Sequence, residues 1–165
     1  MDPQAGTLSA ADHAVPAARV GVGVLLVEGG QRVLLTLRVL PPEAECWSIV
    51  GGKLDYLESL EQCAIRETRE EVGVDIAIQS LLCVTEHRLP AEHQHWISPA
   101  FLAQIVHGTP CNCEPRKTHE VRWFPIDALP PNLTMTAQNA IEAYKRRSAP
   151  GLTPLCWANY GSGGF

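Results

Sequence analysis

Residues 51–74 read GGKLDYLESLEQCAIRETREEVGV, a run with two leading glycines, six carboxylates and a glycine near its end. Glu61 to Glu71 contains neither proline nor glycine, and Ala64, Ile65, Thr68 and Val72 recur on one side at helical spacing, so the segment is expected to be a helix. Gly73 stands where a C-cap belongs. At about 100° per residue, Glu67 and Glu71 lie one turn apart and Glu70 falls on the other side of Glu67, all within an arc of roughly 100°. Like charges so spaced repel by a few tenths of a kcal/mol per exposed pair. A divalent ion with oxygen ligands reverses that cost, and Mg²⁺, or Mn²⁺ with the same hard ligands, suits carboxylates combined with water and phosphate oxygens.

The competing reading is a solvated acidic helix tempered by Arg66 and Arg69. The preceding "IVGG" shifts the balance, because a strand end with Gly51 and Gly52 beside the helix can offer backbone to a metal or phosphate with no side chain in the way. Glu58 projects to the far side of the helix. It is therefore expected to be a structural brace, with Arg66 pairing to it and stiffening the loop.

Working outward, "RVGVGVLLV" (19–27) alternates and then becomes continuously apolar, as a buried strand does. The "EGGQ" turn leads to "RVLLTLRV" (32–39), its expected hairpin partner. "LPPEAE" interrupts the sheet, and "CWSIV" (46–50) is expected as a short strand feeding the glycines. Further strands are expected over 76–87, 96–106 and 121–125, separated by the loops "RLPAEHQ" and "HGTPCNCEPRKTHE". A second helix is expected over 136–147, with Ala137, Ala140, Ile141 and Tyr144 as its apolar stripe. This order implies a mixed sheet packed between helices, an α+β chain of α/β/α sandwich type, rather than a doubly wound parallel sheet. A flexible N-terminal leader (1–17), one domain (18–147) and a glycine- and proline-rich tail (148–165) are expected.

The chain has 165 residues, enough for one domain with a real core, and its formal net charge of -5 offers no broad attraction to a nucleic-acid backbone. No apolar run reaches the roughly 20 residues that span a bilayer, and the N-terminal stretch lacks the features of a signal peptide, so a cytoplasmic protein is expected. Six irregularly spaced cysteines are expected to be reduced thiols. Cys111 and Cys113 lie near His107 and His119, but one intervening residue is shorter than usual for zinc, so a plain surface loop is expected there.

With these residues in view, the run resembles the signature of the Nudix hydrolase family: a glycine, five residues, a glutamate, seven residues, Arg-Glu, an apolar residue, any residue, Glu-Glu, any residue, glycine and an apolar residue. Here those positions are Gly52, Glu58, Arg66, Glu67, Thr68, Glu70, Glu71, Gly73 and Val74. Thr68 departs from the aliphatic pattern, and Val50 stands where the family often has proline. The resemblance implies Mg²⁺-dependent hydrolysis of a nucleoside diphosphate linked to another moiety X. Glu70 and Glu71 would be the leading metal ligands, Glu67 a further ligand or proton acceptor, and the Gly51 or Gly52 carbonyl part of the shell. A base from outside the signature would be Glu120, with Glu114, Glu92 and Glu86 as competitors.

Trp96, Trp47, His87 and His95 are the substrate-binding candidates, with His93, Trp123 and Phe101 behind them; an aromatic side chain inside a strand is more often core. "ECWSIVGGKLD" and "VRWFPIDALP" resemble segments of small nucleotide-pool enzymes. A nucleoside triphosphate or modified dNTP, giving NMP and pyrophosphate, is therefore the expected substrate. ADP-ribose or a nucleoside diphosphate sugar is the alternative, favoured if a homodimer lends a wall to the pocket. A non-catalytic nucleotide-sensing module and a merely structural acidic helix are the readings from other classes.

Overall fold

Continuous apolar sequence around Val24 to Leu26 requires cover on both faces of a strand, and the architecture supplies it. The computed structural model describes residues 17–148. The expected leader and tail, and Cys156 within the tail, lie outside these residues except at the boundary positions. The strands are β1 (Arg19–Glu28), β2 (Arg32–Arg38), β3 (Trp47–Ser48), β4 (Val50–Lys53), β5 (Asp75–Leu89), β6 (Gln94–His107) and β7 (Thr118–Pro125). The helices are α1 (Leu60–Val72) and α2 (Met135–Ser148). The sheet is mixed, in the order β3-β2-β1-β6-β5, with β4 on β1 and β7 on β2; only β1 and β6 run parallel among the named strand pairs.

The period of two along each strand sorts side chains between the helices. Val22, Val24, Leu26, Leu34, Phe101 and Ala103 pack toward α1 with Cys63, Ala64 and Val72. Leu25, Val33, Leu35, Ala100 and Leu102 pack toward α2 with Ala137, Ala140 and Ile141. Fully burying each of the larger aliphatic side chains contributes about 1.5–3 kcal/mol before entropy is charged against it. The α/β/α sandwich is thus the expected one.

Three local expectations change. β1 and β2 pair only at Val27 with Val33 and Glu28 with Arg32, whereas β2 pairs with β7 along its length and with β3 at Thr36 and Leu37. The strand expected over 46–50 is split at Ile49, and Gly51 and Gly52 lie within β4, opposite Gly23 and Val22 of β1, rather than in a loop. The "RLPAEHQ" loop is shorter than expected: Arg88, Leu89 and Gln94 are strand, and only the 3-10 stretch Pro90–Glu92 with His93 makes the turn, so β5 and β6 form a long hairpin.

Helix α1 starts and stops where its sequence directs. Ser59 caps it: the hydroxyl accepts from the Gln62 amide at 3.1 Å while the Gln62 side chain accepts from the Ser59 amide at 2.8 Å. Gly73 ends it with φ 70°, the left-handed conformation a side chain disfavours. Thr68 is fully buried, and its hydroxyl donates to the Ala64 carbonyl at 2.7 Å, so its polar atom is satisfied inside the helix.

Candidate functional site

One face of α1 turns toward β4, and there the acids meet the glycines. Glu67 is only 8% exposed, and a Cβ on Gly52 would lie 2.2 Å from its Cδ; the carboxylate occupies the space that a side chain would need. A Cβ on Gly51 would lie 2.0 Å from the Val22 carbonyl oxygen, so close strand pairing demands glycine there as well. The Gly51 amide donates to Glu71 Oε2 at 3.2 Å. The two glycines therefore let the sheet approach the helix until the carboxylates touch it.

Arg66 organises the other flank. Its Nε and Nη2 donate to the two oxygens of Glu58 at 2.8 and 2.9 Å, and Nη2 also donates to the Lys53 carbonyl at 3.1 Å. Nη1 donates to Glu67 Oε1 at 2.8 Å and to Glu70 Oε2 at 3.2 Å, which brings those two oxygens to within about 6 Å of each other. The Arg66 hydrogen bonds hold the Glu58 carboxyl down at about 2, and Arg66 itself is raised above its ordinary range by the same pairing. Glu58 and Arg66 tie the loop after β4 to α1.

Desolvation pushes Glu71 up to about 7; the Gly51 amide opposes this, while the charges of Glu67 and Glu114 add to it. Glu67 is also raised, by burial first, with Arg66 opposing. Glu114 Oε1 accepts from Lys117 Nζ at 2.8 Å, whereas Glu114 Oε2 is buried with no hydrogen-bond partner among the described residues. Acidic groups short of donors, with hard oxygens, fit a divalent cation such as Mg²⁺. Among the described residues no group of three or more His, Cys, Asp or Glu side chains is gathered in an arrangement that could hold a metal ion.

Glu67 and Glu71 line a cavity of about 550 Å³, together with Gly51, Gly52, His87 and Trp96. The β5–β6 register sets His87 directly opposite Trp96, on one face. Trp96 has the Arg19 guanidinium 5.5 Å and the Lys53 ammonium 5.8 Å from its ring centroid. His87 is buried, 4.0 Å from Glu43 Oε1, and Glu43 is itself held by the Met135 amide at 2.9 Å. Lys117 also borders the cavity.

Other expected residues stand elsewhere. Glu70 does not line this cavity; its side chain is 52% exposed and borders a shallow outer cleft with Tyr56 and Leu57. His95 does not join His87, because adjacent strand positions point to opposite faces; it meets Glu86 at 3.0 Å. Trp47 is buried in the α2-side core, edge-on to Phe124 with centroids 4.7 Å apart, so its ring is packing and not a cavity wall.

Glu120 is not brought to α1 either. It alternates with Val121 and Trp123, which pack on the α1 side, and it accepts from Arg122 Nε at 2.7 Å. Glu114, one of its competitors, is the acid beside Glu71. Glu43, Lys53 and Lys117 were not singled out by the sequence: they lie in aperiodic or strand-end positions with no motif spacing, and only the fold draws them to one cavity.

The NUDIX domain model matches residues 17–146. The chain is 32% identical over 136 residues to the NAD-capped RNA hydrolase NudC of Pseudomonas aeruginosa, covering 80% of this chain and 46% of that protein. It is 30% identical over 107 residues to the oxidized purine nucleoside triphosphate hydrolase of Mus musculus, covering 65% of this chain and 67% of that one. The chain thus spans about half the length of the first of these curated relatives. Among solved structures, the MutT NUDIX hydrolase of Burkholderia pseudomallei superposes with a TM-score of 0.71 at 40% identity, covering 77% of this chain and 98% of that one. No helix among the described residues is long and apolar enough to cross a membrane. With the spaced glutamate motif on a helix against a glycine strand, and a family model matching most of its length, the chain belongs to the Nudix hydrolase family.

Proposed function

We propose that this domain hydrolyses a phosphoanhydride bond of a nucleoside diphosphate linked to X, and that its preferred substrate is a nucleoside triphosphate or modified dNTP, released as NMP and pyrophosphate. The observation that carries this reading is the sharing of one cavity by Glu67 and Glu71 with His87 and Trp96. The carboxylates face the phosphates, and the paired histidine and tryptophan receive the nucleoside.

Glu67 and Glu71 would hold Mg²⁺ at the cavity wall, with Glu70, linked to Glu67 through Arg66 Nη1, able to turn toward the same ion, Mn²⁺ able to take the same oxygens and the Gly51 or Gly52 carbonyl contributing to the shell. When bound, the ion offsets charge developing on phosphate oxygens and makes water a stronger nucleophile at neutral pH. Glu114 supplies an oxygen from outside the motif, as ligand or proton acceptor, in the role expected of Glu120. Lys117 holds one Glu114 oxygen and leaves the other to act. Arg66 fixes Glu67 and Glu58, so the loop after β4 cannot drift from the helix. His87 can hydrogen-bond a base edge, and Trp96 can stack on it once Arg19 or Lys53 yields its place.

ADP-ribose or a nucleoside diphosphate sugar is the alternative substrate, whose second sugar would draw on a partner's surface in a homodimer. Product chromatography on a panel of dNTPs, oxidised dNTPs, ADP-ribose and sugar nucleotides with Mg²⁺ or Mn²⁺ tests this. NMP and pyrophosphate from a triphosphate at the highest kcat/KM is expected. Faster turnover of ADP-ribose would overturn the substrate, and no metal-dependent product from any member would overturn the enzyme.

A further inference from the structure

Cys111 and Cys113 take no part in the carboxylate chemistry, yet they are built onto the end of its helix. The Cys111 amide donates to the Val72 carbonyl at 3.1 Å and the Cys113 amide to the Glu71 carbonyl at 3.0 Å. The C-x-C turn thus satisfies two of the carbonyls that the end of α1 leaves without intrahelical partners. Asn112 locks the turn from the other side: its Nδ2 donates to the Thr118 carbonyl at 2.7 Å, and its Oδ1 accepts from the Glu114 amide at 3.1 Å.

This framework puts both sulfurs over Gly73. A Cβ on Gly73 would meet Cys113 Sγ at 3.0 Å and Cys111 Sγ at 3.4 Å, so the absent side chain is what gives them room. The two Sγ atoms are 3.5 Å apart, and both residues are exposed. Bonding distance is about 2.05 Å, so closure asks for a relative movement of roughly 1.5 Å. Cys63 and Cys83 are buried, and Cys46 is only half-exposed. Among the described cysteines, only this pair is both open to a reagent and supplied with a partner.

We propose that Cys111 and Cys113 form a reversible dithiol–disulfide site at the C-terminal end of the carboxylate helix, oxidised by small-molecule disulfides. The sulfur of one cysteine, its proton released, attacks a sulfur of the reagent; the reagent's S–S bond breaks, and one reagent thiolate leaves. The second cysteine, losing its proton, attacks the protein-side sulfur of the mixed disulfide and expels the second reagent thiolate. The protein loses two electrons and two protons; the reagent gains both and departs as two thiols. Glu114 and Lys117 follow directly on the C-x-C turn, so the state of the pair bears on the segment beside Glu71.

The test needs no catalytic activity, so its outcome is independent of the proposed hydrolysis. The full chain is equilibrated in mixtures of reduced and oxidised glutathione, quenched by alkylation, digested and weighed. Expected is a peptide carrying Cys111 and Cys113 that is unalkylated and lighter by two hydrogens, with Cys63 and Cys83 alkylated after unfolding. Because the fold holds the sulfurs together, the equilibrium constant should exceed that of the guanidinium-denatured chain by roughly tenfold or more. Asn112→Ala, with its fold checked by circular dichroism, should bring the constant back toward the denatured value. A persistent glutathione adduct, a constant no larger in the native chain than in the denatured one, or a folded Asn112→Ala chain with an unchanged constant would each overturn the proposal.

Discussion

Glu71 links pH, stability and metal in a way that can be read without any substrate. Its carboxyl rises from 4.5 to about 7 on folding, chiefly through desolvation. That difference is worth about 3 kcal/mol, at roughly 1.4 kcal/mol per unit, and is best taken as a ceiling. Below pH 4.5 the group is protonated in both states and costs nothing. Between 4.5 and 7 the unfolded chain ionises first, so stability falls as pH rises; above 7 the penalty is complete.

Urea denaturation of metal-free protein at pH 5 and pH 8 measures this, with Glu71→Gln as the reference that removes the titration yet can still accept from the Gly51 amide. The wild type should lose up to about 2.5 kcal/mol relative to Glu71→Gln between the two pH values, part of the penalty being already present at pH 5. Adding Mg²⁺ at pH 8 to about 100 times its Kd should return about 2.7 kcal/mol to the wild type and less to the variant. A difference between the two proteins that stays constant from pH 5 to pH 8 would refute the reasoning, because Glu71 would then not be desolvated.

Gly52→Ala should displace Glu67, whose flexible end lies where the new methyl must go, lowering metal affinity by about tenfold or more while leaving the circular dichroism spectrum unchanged. Arg66→Lys cannot reproduce the two-oxygen contact with Glu58 while also reaching Glu67; stability should drop by about 1–2 kcal/mol in urea titration, with kcat falling more than KM changes. Glu114→Gln should reduce kcat far more than Glu120→Gln in the same metal-dependent assay, and the reverse ranking would return the outside oxygen to Glu120. Trp47→Ala should cost about 3–5 kcal/mol in thermal or urea unfolding as a core deletion, while leaving the KM of the surviving folded fraction near that of the wild type.

The body and C-terminal end of α1 were legible because Glu61 to Glu71 holds no breaker and Gly73 stands at the C-cap; the Ser59–Gln62 capping box at its start emerged only from the structure. The shared broad face of Glu67, Glu70 and Glu71 followed from residue spacing alone, but the fold puts Glu67 and Glu71 at the cavity and Glu70 at an outer cleft. The glycines were harder to place. Gly51 and Gly52 read as loop because glycine breaks strands on average, yet pairing with β1 makes β4 a strand whose missing side chains admit Glu67. The His87, His93 and His95 cluster looked like one rim, but a hairpin reaching Leu89 and Gln94 divides neighbours between faces and leaves only His87 in the cavity.

By itself, then, the sequence determined the helix, its acids, the Glu58–Arg66 partnership and the mixed sandwich, because these follow from periodicity and short-range spacing. Tertiary structure alone decided that Glu114 and not Glu120 stands beside Glu71, that Trp47 is core while Trp96 borders the cavity, and that Glu43, Lys53 and Lys117 gather around it. Those choices depend on strand register and on loop closure between residues far apart in the chain. One step of register moves a side chain to the opposite face, and no local pattern records which step the sheet will take.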